Sequence, residues 1–191
     1  SRYLLDSLIN VFLNDGSGTL SLLGSFDTGD APTNLVAADL DGDGLIDIAN
    51  VNSNDGTVSV FRNSGTANFT LVTQLPVGTN PRGLAAADFN DDGLLDLATA
   101  LFVPANDISV LRGTGGGQFA FEGLHEAAIG VAGLIAEDFS GDGIPDVAAF
   151  ALGLGSLSLL EYLPGIGFAP SVDTSVPSGV QDIASCDFNG D

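Results

Sequence analysis

The stretch Asp39-Leu40-Asp41-Gly42-Asp43-Gly44-Leu45-Ile46-Asp47 places a carboxylate at positions 1, 3, 5 and 9 of a nine-residue segment, with glycine at position 6. It returns as Asp88-Phe89-Asn90-Asp91-Asp92-Gly93-Leu94-Leu95-Asp96 and as Asp138-Phe139-Ser140-Gly141-Asp142-Gly143-Ile144-Pro145-Asp146. A fourth copy begins at Asp187-Phe188-Asn189-Gly190-Asp191. Each copy starts 49 or 50 residues after the last, so the chain reads as an array of repeats. Oxygen-bearing side chains at alternate positions around a tight turn are what a hard cation such as calcium takes from a loop. Gly44, Gly93 and Gly143 stand where the chain must turn sharply, which a residue without a Cβ does freely. Carboxylates crowded this closely repel one another without an ion, so calcium is expected to be part of the fold.

A chain of 191 residues, 45% of them apolar, can bury a sizeable core without two independent domains. Only Arg2, Arg62, Arg82 and Arg112 oppose 25 acids, a net charge of −21 that argues against nucleic acid or an anionic membrane as partner. Twelve of those acids are side-chain ligands of the loop pattern; one divalent ion in each complete loop would bring −21 to −15. Much of the acidity is therefore expected to be metal-site chemistry. Cys186 is the single cysteine, which excludes an intrachain disulfide, and it is expected to be a small, partly buried thiol. Ser1 to Asn10 lacks the charged region and long apolar run of a secretory leader, and no apolar stretch reaches membrane-spanning length before a glycine or a charge.

Between the loops the period is that of strands. Leu45–Val51, Leu94–Ala100 and Ile144–Ala151 are short apolar runs. Thr57–Arg62, Asp107–Arg112 and Ser156–Glu161 alternate, with Val58 and Val60, Ile108 and Val110, and Leu157 and Leu159 on one face. Glycine-rich turns then end in Phe69, Phe119 or Phe168 and open a further strand such as Phe69–Val77. A small, apolar segment, Asn34–Asp39 or Gly83–Asp88, leads into the next acidic loop. Four short antiparallel strands per unit predict an all-β protein, a β-propeller of four-stranded blades with the alanine-rich strand innermost. The acidic loop would then join the first and second strands of every blade, on one side of the disc. As a single array, residues 1–38 form a partial blade, 39–87, 88–137 and 138–186 three repeats, and 187–191 the start of another.

The Asp-x-Asp-x-Asp-Gly-x-x-Asp segment followed by a strand, with a later Gly-x-Phe type turn, resembles the FG-GAP or VCBS repeat of integrin α-subunit-like β-propellers. The resemblance implies calcium held by the side chains of Asp39, Asp41, Asp43 and Asp47 with the carbonyl of Leu45. In the second loop it implies Asp88, Asn90, Asp92 and Asp96 with Leu94, and in the third Asp138, Ser140, Asp142 and Asp146 with Ile144. Asp187, Asn189 and Asp191 would belong to a fourth, truncated site. Ser140, neutral and short, is the weakest of these ligands. The turn Pro164–Phe168 departs from the polar turn of the family.

An EF-hand or dockerin loop shares the opening but carries a carboxylate at position 12, where this chain has Asn50, Thr99 and Ala149, and adjoins a helix. A shift of 49 residues aligns Ile9-Asn10-Val11 with Val58-Ser59-Val60, so the sequence starts inside a blade and stops inside a metal loop. Part of a larger propeller is the favoured reading; a four-bladed ring closed by its own ends, or half of an eight-bladed ring of two chains, are the others.

No nucleophile elbow, His-Glu-x-x-His or phosphate-binding glycine loop is present, and the one histidine, His125, reads as a surface loop residue. The chain is expected not to be an enzyme. The expected function is a calcium-stabilised extracellular binding or adhesion scaffold, secreted or at the cell surface, with a protein or glycan ligand or neighbouring subunits as partners. Loops of this kind in extracellular modules bind calcium at about 10⁻⁴–10⁻³ M, which suits that compartment. A structural subunit of a surface filament or sheath, a lectin-like module, and an accessory propeller of a larger enzyme are the rival readings. Arg82 is a candidate ligand-binding residue because its repeat equivalents Thr33, Ala132 and Gln181 differ from it.

Overall fold

A computed structural model describes residues 7–66, 68–152 and 155–186. All regular structure among them is β-strand. One sheet runs β3 (Pro32–Ala38), β4 (Asp47–Asn52), β5 (Thr57–Asn63) and β6 (Phe69–Pro76), in that order and antiparallel throughout. The next repeats it with β7 (Pro81–Ala87), β8 (Asp96–Leu101), β9 (Asp107–Gly115) and β10 (Gln118–Glu126). A third is built from β11 (Val131–Glu137), β12 (Asp146–Ala151), β13 (Ser156–Leu160) and β16 (Val172–Ser175). Ahead of them stands the hairpin of β1 (Leu8–Asn14) and β2 (Leu20–Asp27). These sheets are blades of a β-propeller, the expected fold.

The sequence patterns follow from where each strand sits. Every residue of β4, β8 and β12 is buried; β8 packs between the blades on either side of it, and β4 between the β1–β2 hairpin and the next blade. That accounts for apolar runs in place of alternation. The outer strands β6 and β10 have one wet face and alternate instead. The first strands are the axial ones: β7 packs against β3 on one side and β11 on the other. A Cβ on Gly83 would lie 2.7 Å from the Cα of Gly133, so these two strands approach too closely for larger residues.

The core lies in the slices between blades. Val51, Val58 and Val60 meet Leu84, Leu97, Leu101 and Leu111 in one slice. In the next, Ala98, Ile108 and Val110 meet Val131, Leu134, Val147 and Leu160. A smaller cluster of Ile9, Ile48 and Phe61 seats the β1–β2 hairpin on the following blade. Truncating a fully buried Leu such as Leu97 to Ala in such a slice costs about 2–5 kcal/mol, because the facing sheet cannot collapse into the gap.

The last repeat is less regular. Between β13 and β16 the chain forms a small hairpin, β14 (Tyr162–Leu163) with β15 (Gly167–Phe168), around the Pro164 turn. No strand forms over 177–186, so among the described residues no C-terminal segment adds to the two-stranded β1–β2 sheet. Cys186, expected to be partly buried, is exposed there because no strand covers it. The start of the fourth acidic loop, Asp187, Asn189 and Asp191, lies outside the described residues.

Candidate functional site

The three complete acidic loops join β3 to β4, β7 to β8 and β11 to β12, and so leave the same ends of the axial strands. Gly44, Gly93 and Gly143 have φ of +86°, +85° and +92°, the left-handed conformation expected at position 6. Position 4 is left-handed too, with φ of +82° at Gly42, +57° at Asp91 and +81° at Gly141. Asp91 is therefore a strained substitution for glycine.

Within each loop the first carboxylate organises the turn. Asp39 Oδ1 accepts from the amides of Gly42 (2.9 Å) and Asp43 (3.1 Å), and its Oδ2 from Gly44 (2.9 Å). Asp88 takes the amides of Asp92 (3.1 Å) and Gly93 (2.8 Å). Asp138 takes those of Gly141 (2.7 Å), Asp142 (3.2 Å) and Gly143 (2.8 Å). The fifth carboxylate caps the far side, Asp43 accepting from Leu45, Asp92 from Leu94 and Asp142 from Ile144, each at 2.9 Å. These amides hold Asp43 and Asp138 below the usual carboxylate range, led by Leu45 and Gly143 respectively.

In the first loop Asp39, Asp41 and Asp43 each bring one oxygen within 4.8 Å of the other two. Among the described residues no other set of three acids, histidines or cysteines is so gathered. Arg62, on β5, lies against this cluster, with Nε 2.7 Å from Asp41 and Nη2 3.2 Å from Asp43. Its repeat equivalent Arg112 turns instead to Glu122 at 3.0 Å, and the third repeat has Glu161 in that place. In the second loop the Asn90 amide donates to Asp96 at 3.0 Å. Ser140 in the third donates weakly to Asp138 at 3.4 Å.

The ninth-position acids do something the spacing alone did not suggest. Asp47, Asp96 and Asp146 are buried, at 1%, 1% and 0% exposure, and each accepts backbone amides with both oxygens. Asp47 takes Leu40 (3.1 Å) and Asn63 (2.8 Å). Asp96 takes Phe89 (3.3 Å) and Gly113 (2.7 Å), and Asp146 takes Phe139 (3.1 Å), Ser140 (2.9 Å) and Tyr162 (2.9 Å). Each ties the start of its loop to the end of the third strand. Burial pushes Asp47 up, and pushes Asp96 up to about 6 with Asp92 adding repulsion. The only sequence sign of this role is that each of these acids opens the apolar run that forms the fully buried strand.

His125 is not in a surface loop but on β10, half-buried, with its ring edge-on to Phe168 at 5.1 Å. Its Nε2 is buried without a partner, and burial lowers its pKa against the pull of Glu122 and Asp107. Arg82 stacks over Phe102, with Cζ 4.1 Å from the ring centre.

Open rows of four-stranded antiparallel blades with an acidic turn between first and second strands define a repeat β-propeller. The chain belongs to the FG-GAP-like repeat family, whose model matches residues 4–50 and 41–99, together half of the chain. No curated protein matches. Among solved structures it is similar to a candidate 6-phosphogluconolactonase from Bacteroides fragilis NCTC 9343 (TM-score 0.69, 16% identity, 90% of this chain and 50% of that one). A fucose-specific lectin from Aleuria aurantia gives a TM-score of 0.62 at 18% identity, over 92% of this chain and 57% of that one. A functionally unknown protein from Desulfotomaculum acetoxidans DSM 771 gives 0.60 at 14%, over 83% and 45%. The chain spans about half the length of these proteins. At these identities the likeness is one of fold.

Proposed function

We propose that this chain is a non-catalytic binding scaffold that works outside the cell and uses calcium to hold its acidic loops. The observation that carries the proposal is the gathering of Asp39, Asp41 and Asp43 oxygens within 4.8 Å of one another. Oxygens bound to one calcium at about 2.3–2.6 Å can be no farther apart than about twice that distance, so the donor set fits. Asp39, Asp41 and Asp43 would hold the ion in the first loop, Asp88, Asn90 and Asp92 in the second, and Asp138, Ser140 and Asp142 in the third. Bound calcium would supply positive charge among crowded carboxylates and tie each turn to its blade. Asp47, Asp96 and Asp146, whose oxygens already accept amides, would position the loop as well as face the ion. Moderate affinity of such loops suits a compartment with millimolar free calcium.

Binding rather than catalysis is supported by the surroundings of the one histidine, whose ring is packed against Phe168. A carbohydrate ligand is a second reading, supported by the likeness of the blades to those of a fucose-specific lectin. Calorimetric titration of the calcium-stripped chain, with melting curves in calcium and in chelator, tests the main proposal. Three ions per chain and a marked loss of stability in chelator are expected. No heat at millimolar calcium and an unchanged melt would reduce the loops to acidic turns.

A further inference from the structure

On the side of the axial strands away from the acidic loops lies a cavity of about 390 Å³, within the size range of small-ligand sites. Thr33, Arg82, Ala132 and Gln181 all border it. They occur at intervals of 49, 50 and 49 residues, so one repeat position, taken four times, surrounds the cavity with four different side chains. Ala132 leaves room, and the ring of Phe150, packed on Gly133, and Leu134 give it an apolar wall.

Arg82 is the informative member. Of the described arginines, Arg62 is paired with Asp41 and Asp43 and Arg112 with Glu122, whereas Arg82 has no carboxylate within ion-pair reach among the described residues. In a chain with 25 acids and a net charge of −21, one unpaired cation beside a cavity is out of keeping with its surroundings. Contact with the face of Phe102 seats the guanidinium without using its donors, which leaves the fork available to a planar anion. Asn34, Gln181 and the Thr33 hydroxyl offer both donors and acceptors around the same space. Thr33 makes only long contacts of 3.4 and 3.5 Å, to the Pro81 and Arg82 carbonyls. Asp182, also at the rim, would repel a second negative charge but accepts from hydroxyls.

From this we infer that the axial cavity binds a single carboxylate flanked by hydroxyls, the chemistry of a uronic acid residue, with the carboxylate on Arg82. The overall negative field disfavours phosphate monoesters, which bring more charge, and favours a monoanion held at short range, and the planar fork of Arg82 matches a carboxylate. The inference rests on the reading of the chain as a binding scaffold and names the class of ligand for it.

The test is a titration of amide resonances with D-glucuronate, in saturating calcium, with D-glucose and lactate as controls. Glucuronate should shift the Thr33, Ala132 and Gln181 amides saturably at millimolar concentration, lactate less and glucose hardly at all. Arg82→Gln should weaken glucuronate about tenfold or more, and Arg82→Lys should recover only part of it, because an ammonium cannot meet both carboxylate oxygens. A Phe102→Leu variant should lose affinity as well, and an unchanged melt in each variant shows that the fold is intact. Absence of shifts, equal shifts with glucose, or binding that survives Arg82→Gln would each overturn the assignment. Stronger binding of N-acetyl amino acids than of glucuronate would replace the sugar by a peptide carboxylate. Because calcium uptake is read separately, failure here leaves the metal proposal standing, and failure of calcium uptake leaves these shifts interpretable.

Discussion

The first and second acidic loops share a ligand spacing and a backbone course but differ in how their charge is balanced. In the first, Arg62 lies against Asp41 and Asp43, and three carboxylate oxygens come together. In the second, Arg112 is turned to Glu122, Asn90 replaces one acid, and the buried Asp96 is pushed up to about 6. One motif thus carries two separable functions. In the first loop positions 1, 3 and 5 gather carboxylate oxygens whose charge must be met by something, while position 9 is in all three loops a buried acceptor of backbone amides.

The largest effect should come from removing that acceptor. Asp47→Ala would orphan the amides of Leu40 and Asn63 in a buried place, and a loss of about 2–4 kcal/mol in denaturant unfolding is expected, in chelator as well as in calcium. Asp96→Ala orphans the amides of Phe89 and Gly113 but also removes a charge that burial opposes more strongly than it does at Asp47. Its cost at pH 7 should therefore be smaller than that of Asp47→Ala, and should approach it near pH 5. Equal costs at both pH values would mean that the two loops do not differ in charge balance. Little cost for Asp47→Ala in chelator would mean that position 9 serves the ion alone.

The blades themselves were legible in the sequence. Alternation in Thr57–Arg62, continuous apolar character in Leu45–Val51 and small residues in Gly83–Ala87 each report one place in a blade, and β5, β4 and β7 fall there. Repetition made the reading firm, since an error in one copy would have disagreed with the others. What repetition hid is what differs between equivalent positions. Phe12 and Phe61 share a repeat position, yet Phe61 is 2% exposed and Phe12 54%, because Phe61 is covered by the β1–β2 hairpin. Arg62 and Arg112 look alike in sequence and pair with different acids, since their partners come from other segments. His125 looked solvent-facing because the residue that covers it, Phe168, arrives some forty residues later from the irregular hairpin of the last blade.

A pH series sharpens the contrast next. The folded Asp96 titrates near 6 and its unfolded counterpart near the ordinary aspartate value of 3.8. The fold thus favours the protonated form, so this contribution is present in full below the unfolded value and is lost as pH rises towards 6. It amounts to about 3 kcal/mol at most. His125 acts in the opposite sense over the upper part of this window, because its folded pKa is depressed and the fold favours the neutral ring. The difference between the native chain and Asp96→Asn isolates the carboxylate. In chelator the native chain should lose stability relative to Asp96→Asn as pH climbs from about 4 to 6. Calcium should flatten that difference, since a cation nearby favours the ionised form. A difference curve that is flat in chelator would place Asp96 in a better-solvated setting than its burial indicates.

The smallest effect separates the exposed clusters. Arg62 and a cation compete for the same Asp41 and Asp43 oxygens, so Arg62→Ala should tighten calcium at the first loop by a factor of a few. In chelator the same change should lower the melting temperature slightly, because three carboxylates then face one another without a counter-charge. Arg112→Ala should do neither, its partner Glu122 lying outside the loop. Calorimetric titration of the two variants beside the native chain reads the distinction directly. If Arg112→Ala tightens one site as much as Arg62→Ala does, the counter-charge acts through the general field of the acidic face. A change confined to Arg62→Ala would make the guanidinium an occupant of the first loop that calcium has to displace.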